Sequence, residues 1–185
     1  MEIKIKPLRP GMAGEFFRYF EEAVFPPGDL RANCYCLESH LADEQRYQEV
    51  FERRMVAKAL IDSGKMTGYL LYDGDRPVGW CNAGKKAAFR PLVEDPAYFT
   101  TRPEDIGILY CLDIAEGWQG KGLASLAVSR FLEDARASGY RFVEGYPFTK
   151  RDYPWQYHGP VRLYEKLGFT LFREQPGFYI YRKEL

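Results

Sequence analysis

The sequence predicts a mixed α/β protein: a central, twisted, mostly antiparallel sheet with one parallel strand pair, flanked by helices. Three observations predict it. The turn Asp73-Gly74-Asp75 stands between two apolar runs, the signature of an antiparallel hairpin. The near-continuous apolar run 106–114 leads through a glycine turn into an amphipathic helix and then another strand, a parallel strand–helix–strand unit. A second hairpin, around Gln175-Pro176-Gly177, ends the pattern. The chain of 185 residues suits a single domain, 1–185, and shows no repeat or linker that would divide it.

Each element has its local reason. Residues 2–7, EIKIKP, alternate apolar and charged, which predicts a first strand. Residues 11–24 carry a short helix pattern with Phe16, Phe17 and Phe20, ended by Pro26-Pro27-Gly28. A loop with NCYCLESH follows. A long helix is expected over 42–63, with Tyr47, Phe51 and Met55 spaced four apart and Ser63-Gly64 as its stop. Strands near 66–73 and 76–83 form the first hairpin. Residues 85–105, with Pro91, Pro96 and Pro103 and no clear period, read as a long loop of the kind that is functional or mobile. The helix after the glycine turn runs to about Ala137, with Leu123, Ala127 and Phe131 on one line and Ala124, Val128 and Leu132 beside it. YRFVEGYPF is the next strand. A short helix over 160–167 ends at Gly168, and strands near 169–174 and 178–183 complete the order.

Composition excludes several classes. Lys plus Arg and Asp plus Glu number 26 each, so there is no basic excess to bind nucleic acid. The start, MEIKIKPLRP, lacks the apolar core of a signal peptide, and no run is long enough to cross a bilayer. A cytoplasmic protein with reduced thiols at Cys34, Cys36, Cys81 and Cys111 is expected.

The chemistry concentrates in GWQGKGLASLAV, 117–128. The first N–H groups of a helix lack partners, the helix dipole adds partial positive charge, and glycines let an anion approach the backbone. Gly120 and Gly122 therefore predict a phosphate or pyrophosphate on the N–H groups of 120–125, unless they serve only to tighten the helix entry for packing. A Walker P-loop fails because Lys121 is followed by Gly122. A dinucleotide fold is a nearer miss. Ser125 takes the third glycine's place and Glu144 the ribose carboxylate's, but too few residues follow for the further strand–helix units that fold needs.

IAEGWQGKGLA resembles the (R/Q)-x-x-G-x-(G/A) motif of the GNAT N-acetyltransferase superfamily, through Gln119, Gly120, Lys121, Gly122, Leu123 and Ala124. With Gly120 and Gly122 taken as its glycine pair, the glutamine sits one place closer than in the strict pattern. LYEKLGF, Leu163 to Phe169, resembles that superfamily's C-terminal motif at the right distance downstream. The element order matches over nearly the whole chain. NCYCLESH, VGWCNAG and YHGP are similar to a bacterial subgroup, a narrower match that adds no substrate.

The resemblance implies a GNAT fold whose fourth and fifth strands splay apart. It implies acetyl-CoA as co-substrate, an amine acceptor, and a homodimer as one assembly. The pyrophosphate would lie on Gln119 to Ala124, with Ser125 in the same turn. The pantetheine arm would pair with the strand carrying Leu112, Asp113 and Ile114. An amide there would stabilise the oxyanion, and Tyr164 would protonate the leaving thiolate. Candidates for the base are His158, Glu144 and Asp113. Beside the acceptor the reading puts Cys36, Trp80, Asn82 and Tyr146; strand alternation gives Trp80 and Asn82 one face, which either meets the acceptor or packs against a helix. The aromatic run Tyr146, Phe148, Tyr153, Trp155 and Tyr157 either shields the thioester or packs as a satellite cluster. Cys34, Cys36 and His40 lack a zinc-like spacing, so no metal is expected. A longer acyl donor and a non-catalytic CoA sensor are the rival readings.

Overall fold

The computed structural model describes residues 2–25, 29–41, 50–150 and 156–185. One seven-stranded sheet runs in the order β1-β2-β3-β4-β5-β7-β6. Its strands are β1 (Ile3–Pro7), β2 (Gly68–Asp73), β3 (Arg76–Lys85), β4 (Ile106–Ile114), β5 (Phe142–Gly145), β6 (Thr170–Gln175) and β7 (Phe178–Glu184). Only β4 and β5 pair in parallel; the other five neighbours are antiparallel. No helix among the described residues is long and apolar enough to cross a membrane.

The helices cover both faces. On one lies α4 (Leu123–Ala137), whose Leu123, Ala127, Val128 and Phe131 bury against Leu71, Leu109, Leu112 and Val143. On the other lie α1 (Ala13–Arg18), segment 29–41 and α2 (Val50–Asp62), around Phe16, Phe20, Tyr35 and Trp80. Two more short helices are α3 (Arg90–Glu94) and α5 (Val161–Lys166).

Three expectations change along the helices and loops. The first helix is α-helical only to Arg18 and continues as a π turn over Tyr19–Ala23. In α2 the buried line is Ala57 and Ile61, and Met55 is 50% exposed, so the apolar line is displaced from the one expected. Residues 42–49, with Tyr47, and Pro26-Pro27-Gly28 lie outside the described residues, as does the side chain of Phe51. The supposed loop 85–105 is built of α3 and three 3₁₀ turns, and it buries Lys86 and Phe89.

β5 is shorter than its apolar run suggested, and this shapes the site. It leaves β4 after the pair Leu109–Gly145. The chain then stays with β7: the Pro147 carbonyl accepts from Tyr179 N–H (2.8 Å), and Thr149 N–H donates to the Gly177 carbonyl (3.0 Å). β4 meanwhile continues five residues further with β3 alone as its strand partner. A bulge helps it do so. Asn82 faces Cys111 but Ala83 faces Leu109, leaving Tyr110 without an opposite.

Candidate active site

The separation of β4 from β5 exposes one row of β4 backbone groups. Strand alternation points the peptide groups of Tyr110, Leu112 and Ile114 toward the gap. Three of these groups have partners. Leu112 N–H donates to the Tyr157 carbonyl at 2.6 Å. The Tyr110 carbonyl meets His158 Nδ1. The Ile114 carbonyl accepts from the Gln119 side-chain amide at 3.0 Å. From the other side, Tyr19 OH donates to the Asp113 carbonyl at 2.7 Å.

Just beyond β4 comes the glycine turn. Gly120 and Gly122 have φ of +74° and +86°, and Gly122 is the N-cap of α4. A Cβ on either would meet nothing within 4 Å, so the left-handed backbone requires these glycines and packing does not. The tightened-entry alternative thus fails as a packing argument, and the space in front of the turn is open. The first intrahelical bond runs from Leu126 N–H to the Gly122 carbonyl. The N–H groups of Leu123, Ala124 and Ser125 precede it, no side chain caps them, and the first turn holds no acid. Lys121 is exposed, with Nζ 4.8 Å from the Trp118 ring centre. An anion would fit here. The motif spacing is also regular once aligned on Gly122 and Ala124: Gln119 then stands in register, and the displaced glutamine of the first alignment disappears.

On the far side of the gap, α5 presents Tyr164, which is fully buried. Its OH donates to the His158 carbonyl at 2.5 Å. Its ring packs against Gly145, where a Cβ would come within 2.0 Å of the ring. Only glycine at the end of β5 lets the tyrosine in. Burial first, then the Cys81 and Cys111 thiols, pushes this phenol far up, so it keeps its proton at neutral pH. Leu112 N–H and Tyr164 O–H thus converge across the gap on two consecutive carbonyls, those of Tyr157 and His158.

His158 is 3% exposed, and burial lowers its pKa to about 4 despite its bond to the Tyr110 carbonyl. A carbonyl partner fixes the proton on Nδ1 and leaves Nε2 as the lone pair. Its ring packs on Phe148 at 4.6 Å and Tyr157 at 4.4 Å. Of the remaining loop aromatics, Tyr153 and Trp155 lie outside the described residues.

Other predicted residues do not gather at the gap. Glu144 is 1% exposed, and both its oxygens are engaged. Oε2 meets Lys86 Nζ (2.7 Å) and Tyr146 OH (3.0 Å); Oε1 takes Arg182 Nε (3.0 Å) and Nη2 (2.5 Å). The expected base is thus held in a buried ion-pair network, and the expected acceptor contact Tyr146 is a fully buried member of it. Trp80 and Asn82 do share a face but are wholly buried. Trp80 packs edge-on against Phe16 and donates to Cys36 Sγ (3.3 Å); Asn82 donates to Ser39 Oγ (3.0 Å). They form a floor that holds segment 36–39, with Cys36 as part of it. Cys36 also accepts from the Cys111 thiol, a bond that with burial drives the Cys111 pKa up. Asp113 is half-buried at the edge of β4.

Lys86, Arg182 and Gly145 escaped the sequence reading, which named Tyr157 for its ring and not for its carbonyl. Lys86 sits in GKKAA, where nothing separates a buried lysine from a solvated one, and Gly145 offered only its place beside Glu144.

The parallel pair that parts past Leu109, the open glycine turn and Tyr164 beside the gap define the acetyltransferase fold. The profile described as Acetyltransferase (GNAT) family matches residues 33–169, and the chain belongs to that family. Among solved structures it is similar to a putative GNAT acetyltransferase from Desulfovibrio desulfuricans, at 18% identity over 99% of each chain with a TM-score of 0.58. It is also similar to the PaiA N-acetyltransferase of Thermoplasma acidophilum in complex with coenzyme A, at 12% identity over 100% of both chains and TM-score 0.59. A third is YncA of Salmonella typhimurium, a putative acetyltransferase solved with acetyl-CoA, at 13% identity over 100% of this chain and 95% of that one, TM-score 0.59. No curated protein matches the chain.

Proposed function

We propose that the chain, acting as one domain, transfers an acetyl group from acetyl-CoA to a primary amine of a small molecule. The observation that carries the reading is the pair of donors, Leu112 N–H and Tyr164 O–H, converging across the gap beside an uncapped helix N-terminus. The amide groups of 119–125, with Lys121, suit the pyrophosphate. The remaining peptide groups of Leu112 and Ile114 suit an extended arm laid along β4.

The amine attacks the thioester carbonyl carbon; the C–N bond forms and the C–S bond then breaks. Leu112 N–H faces the developing oxyanion, a type of contact worth about 3–4 kcal/mol. Tyr164 gives its proton to the thiolate. The amine proton goes to His158 Nε2, or through water to Asp113. His158 can act only when its burial eases and its pKa returns toward the usual 6.5. A small acceptor is favoured because segment 29–41 buries Tyr35, Cys36 and Leu37 over the sheet face beside β4.

Thermal unfolding with acetyl-CoA, against NADH and ATP as controls, tests the donor. At 100 times the dissociation constant the gain is about 2.7 kcal/mol, or roughly 5–10 °C for this size. A shift with NADH alone would sink the reading. Tyr164→Phe should bind acetyl-CoA at least as tightly as the wild type but lose about 10²-fold or more in kcat; unchanged transfer would remove its acid role. Binding without transfer to any amine would favour a sensor.

A further inference from the structure

We propose that residues 157–159 are a self-inhibitory strap, which acetyl-CoA must lift from β4 before it can react. The inference rests on the acetyl-transfer reading above. The two hydrogens that this chemistry needs are both spent on the strap's main chain. Leu112 N–H is given to the Tyr157 carbonyl (2.6 Å), and Tyr164 O–H to the next carbonyl, that of His158 (2.5 Å). An N–H in a linear bond serves one acceptor well, so the thioester carbonyl and the Tyr157 carbonyl compete for the same group.

The strap is seated rather than merely near. His158 Nδ1 ties it to the Tyr110 carbonyl at the β4 bulge. His158 and Gly159 are buried. Gly159 has φ of +75°, and a Cβ there would stand 3.1 Å from Leu112 and 3.2 Å from Leu163, so the chain presses directly on both walls of the gap. Phe148 clamps the outside: its ring packs on Tyr157 (5.1 Å) and His158 (4.6 Å), and its backbone bridges to Phe178 of β7. The strap therefore imitates the extended arm of the substrate, one carbonyl for the thioester oxygen and the next for the sulfur. The protein binds acetyl-CoA only from the fraction of molecules in which the strap is raised, and its apparent affinity is reduced by that fraction. Raising the strap also re-exposes His158, which restores its basicity at the moment the acyl group arrives.

The test combines stopped-flow binding of acetyl-CoA with residue-resolved hydrogen exchange. In the wild type, the observed binding rate should level off with acetyl-CoA concentration, and the Gly159 amide, bonded to Gln156 in the closed strap, should exchange faster in the complex. Phe148→Ala removes the clamp and should lower the apparent Kd by about tenfold. Gly159→Ala, which strains the strap at its positive φ, should act in the same direction and stands in if Phe148→Ala fails to fold. Slower Gly159 exchange once the amides of 120–125 become protected by ligand would overturn the strap and leave the acetyl-transfer reading intact. So would a binding rate that rises linearly without limit, or folded variants that bind no more tightly. No protection at 120–125 and no binding by any of the three proteins would overturn both.

Discussion

Glu144→Gln separates a structural charge from a catalytic base. Glu144 and Lys86 are each 1% exposed, and Arg182 is 17% exposed with its guanidinium 3.4 Å over the Phe172 ring. In the wild type one carboxylate answers two cations and a tyrosine OH. The variant keeps the volume and one hydrogen-bond acceptor but leaves Lys86 facing Arg182 without an anion. Removing one partner of a buried pair costs about 3–5 kcal/mol. At about 2–4 °C per kcal/mol for this length, Tm should fall by roughly 6–20 °C. Lys86→Met should cost less, because Glu144 keeps Arg182 and Tyr146. The pH dependence adds a signature. Burial already lowers the Lys86 pKa, with the carboxylate opposing it. Without the carboxylate the folded value falls further below the unfolded one. The unfolded chain then binds the extra proton, and the variant regains stability as pH rises from 7 toward about 10. Calorimetry at several pH values reads this, and acetyl transfer per folded molecule should stay within about twofold. An unshifted Tm with kcat down by about 10² or more, the loss expected for a missing base, would refute the reasoning.

Two further outcomes are expected. Gly145→Ala puts a methyl 2.0 Å from the Tyr164 ring, which must leave its slot; stability should fall by about 1–3 kcal/mol and transfer as in Tyr164→Phe, and a stable, active Gly145→Ala would contradict the packing described. His40 and His158 are both held near pKa 4 chiefly by burial. Their folded values lie below the ordinary 6.5, so the unfolded chain binds more protons between them, and stability should fall as pH drops from 6.5 to 5 with a limiting slope of about 2.7 kcal/mol per pH unit for two groups. Urea titrations that give the same stability at pH 5 and pH 7 would show that neither ring is buried neutral.

Much of the fold was legible because local chemistry writes it. Gly74 in a two-residue turn forces a hairpin, and the turn formed where expected, with Asp73 paired to Arg76. The apolar line of Leu123, Ala127 and Phe131 chose the buried face of α4. The glycines at 120 and 122 marked a helix entry that an anion could approach; the structure adds that both are left-handed and that the space before them is open. Where the period was weak, reading failed. In α2 the buried line is Ala57 and Ile61, small or unremarkable beside Met55, and only contact with the sheet picks it. The end of β5 was overrun because YRFVEGYPF stays apolar while the chain loses β4 and keeps β7 as its neighbour.

The sequence by itself therefore determined the mixed sheet, its two hairpins, the parallel unit and the glycine turn that opens α4. These follow from side-chain period and backbone freedom, which act within a few residues. Only the tertiary structure decided that Glu144 is locked by Lys86 and Arg182, 58 and 38 residues away, and that Gly145 makes the slot for Tyr164. It alone brought the Tyr157 carbonyl to Leu112 N–H. Every residue but proline carries the same peptide group, so a main-chain bond of this kind leaves no trace in the sequence and appears only when folding sets two strands of chain side by side.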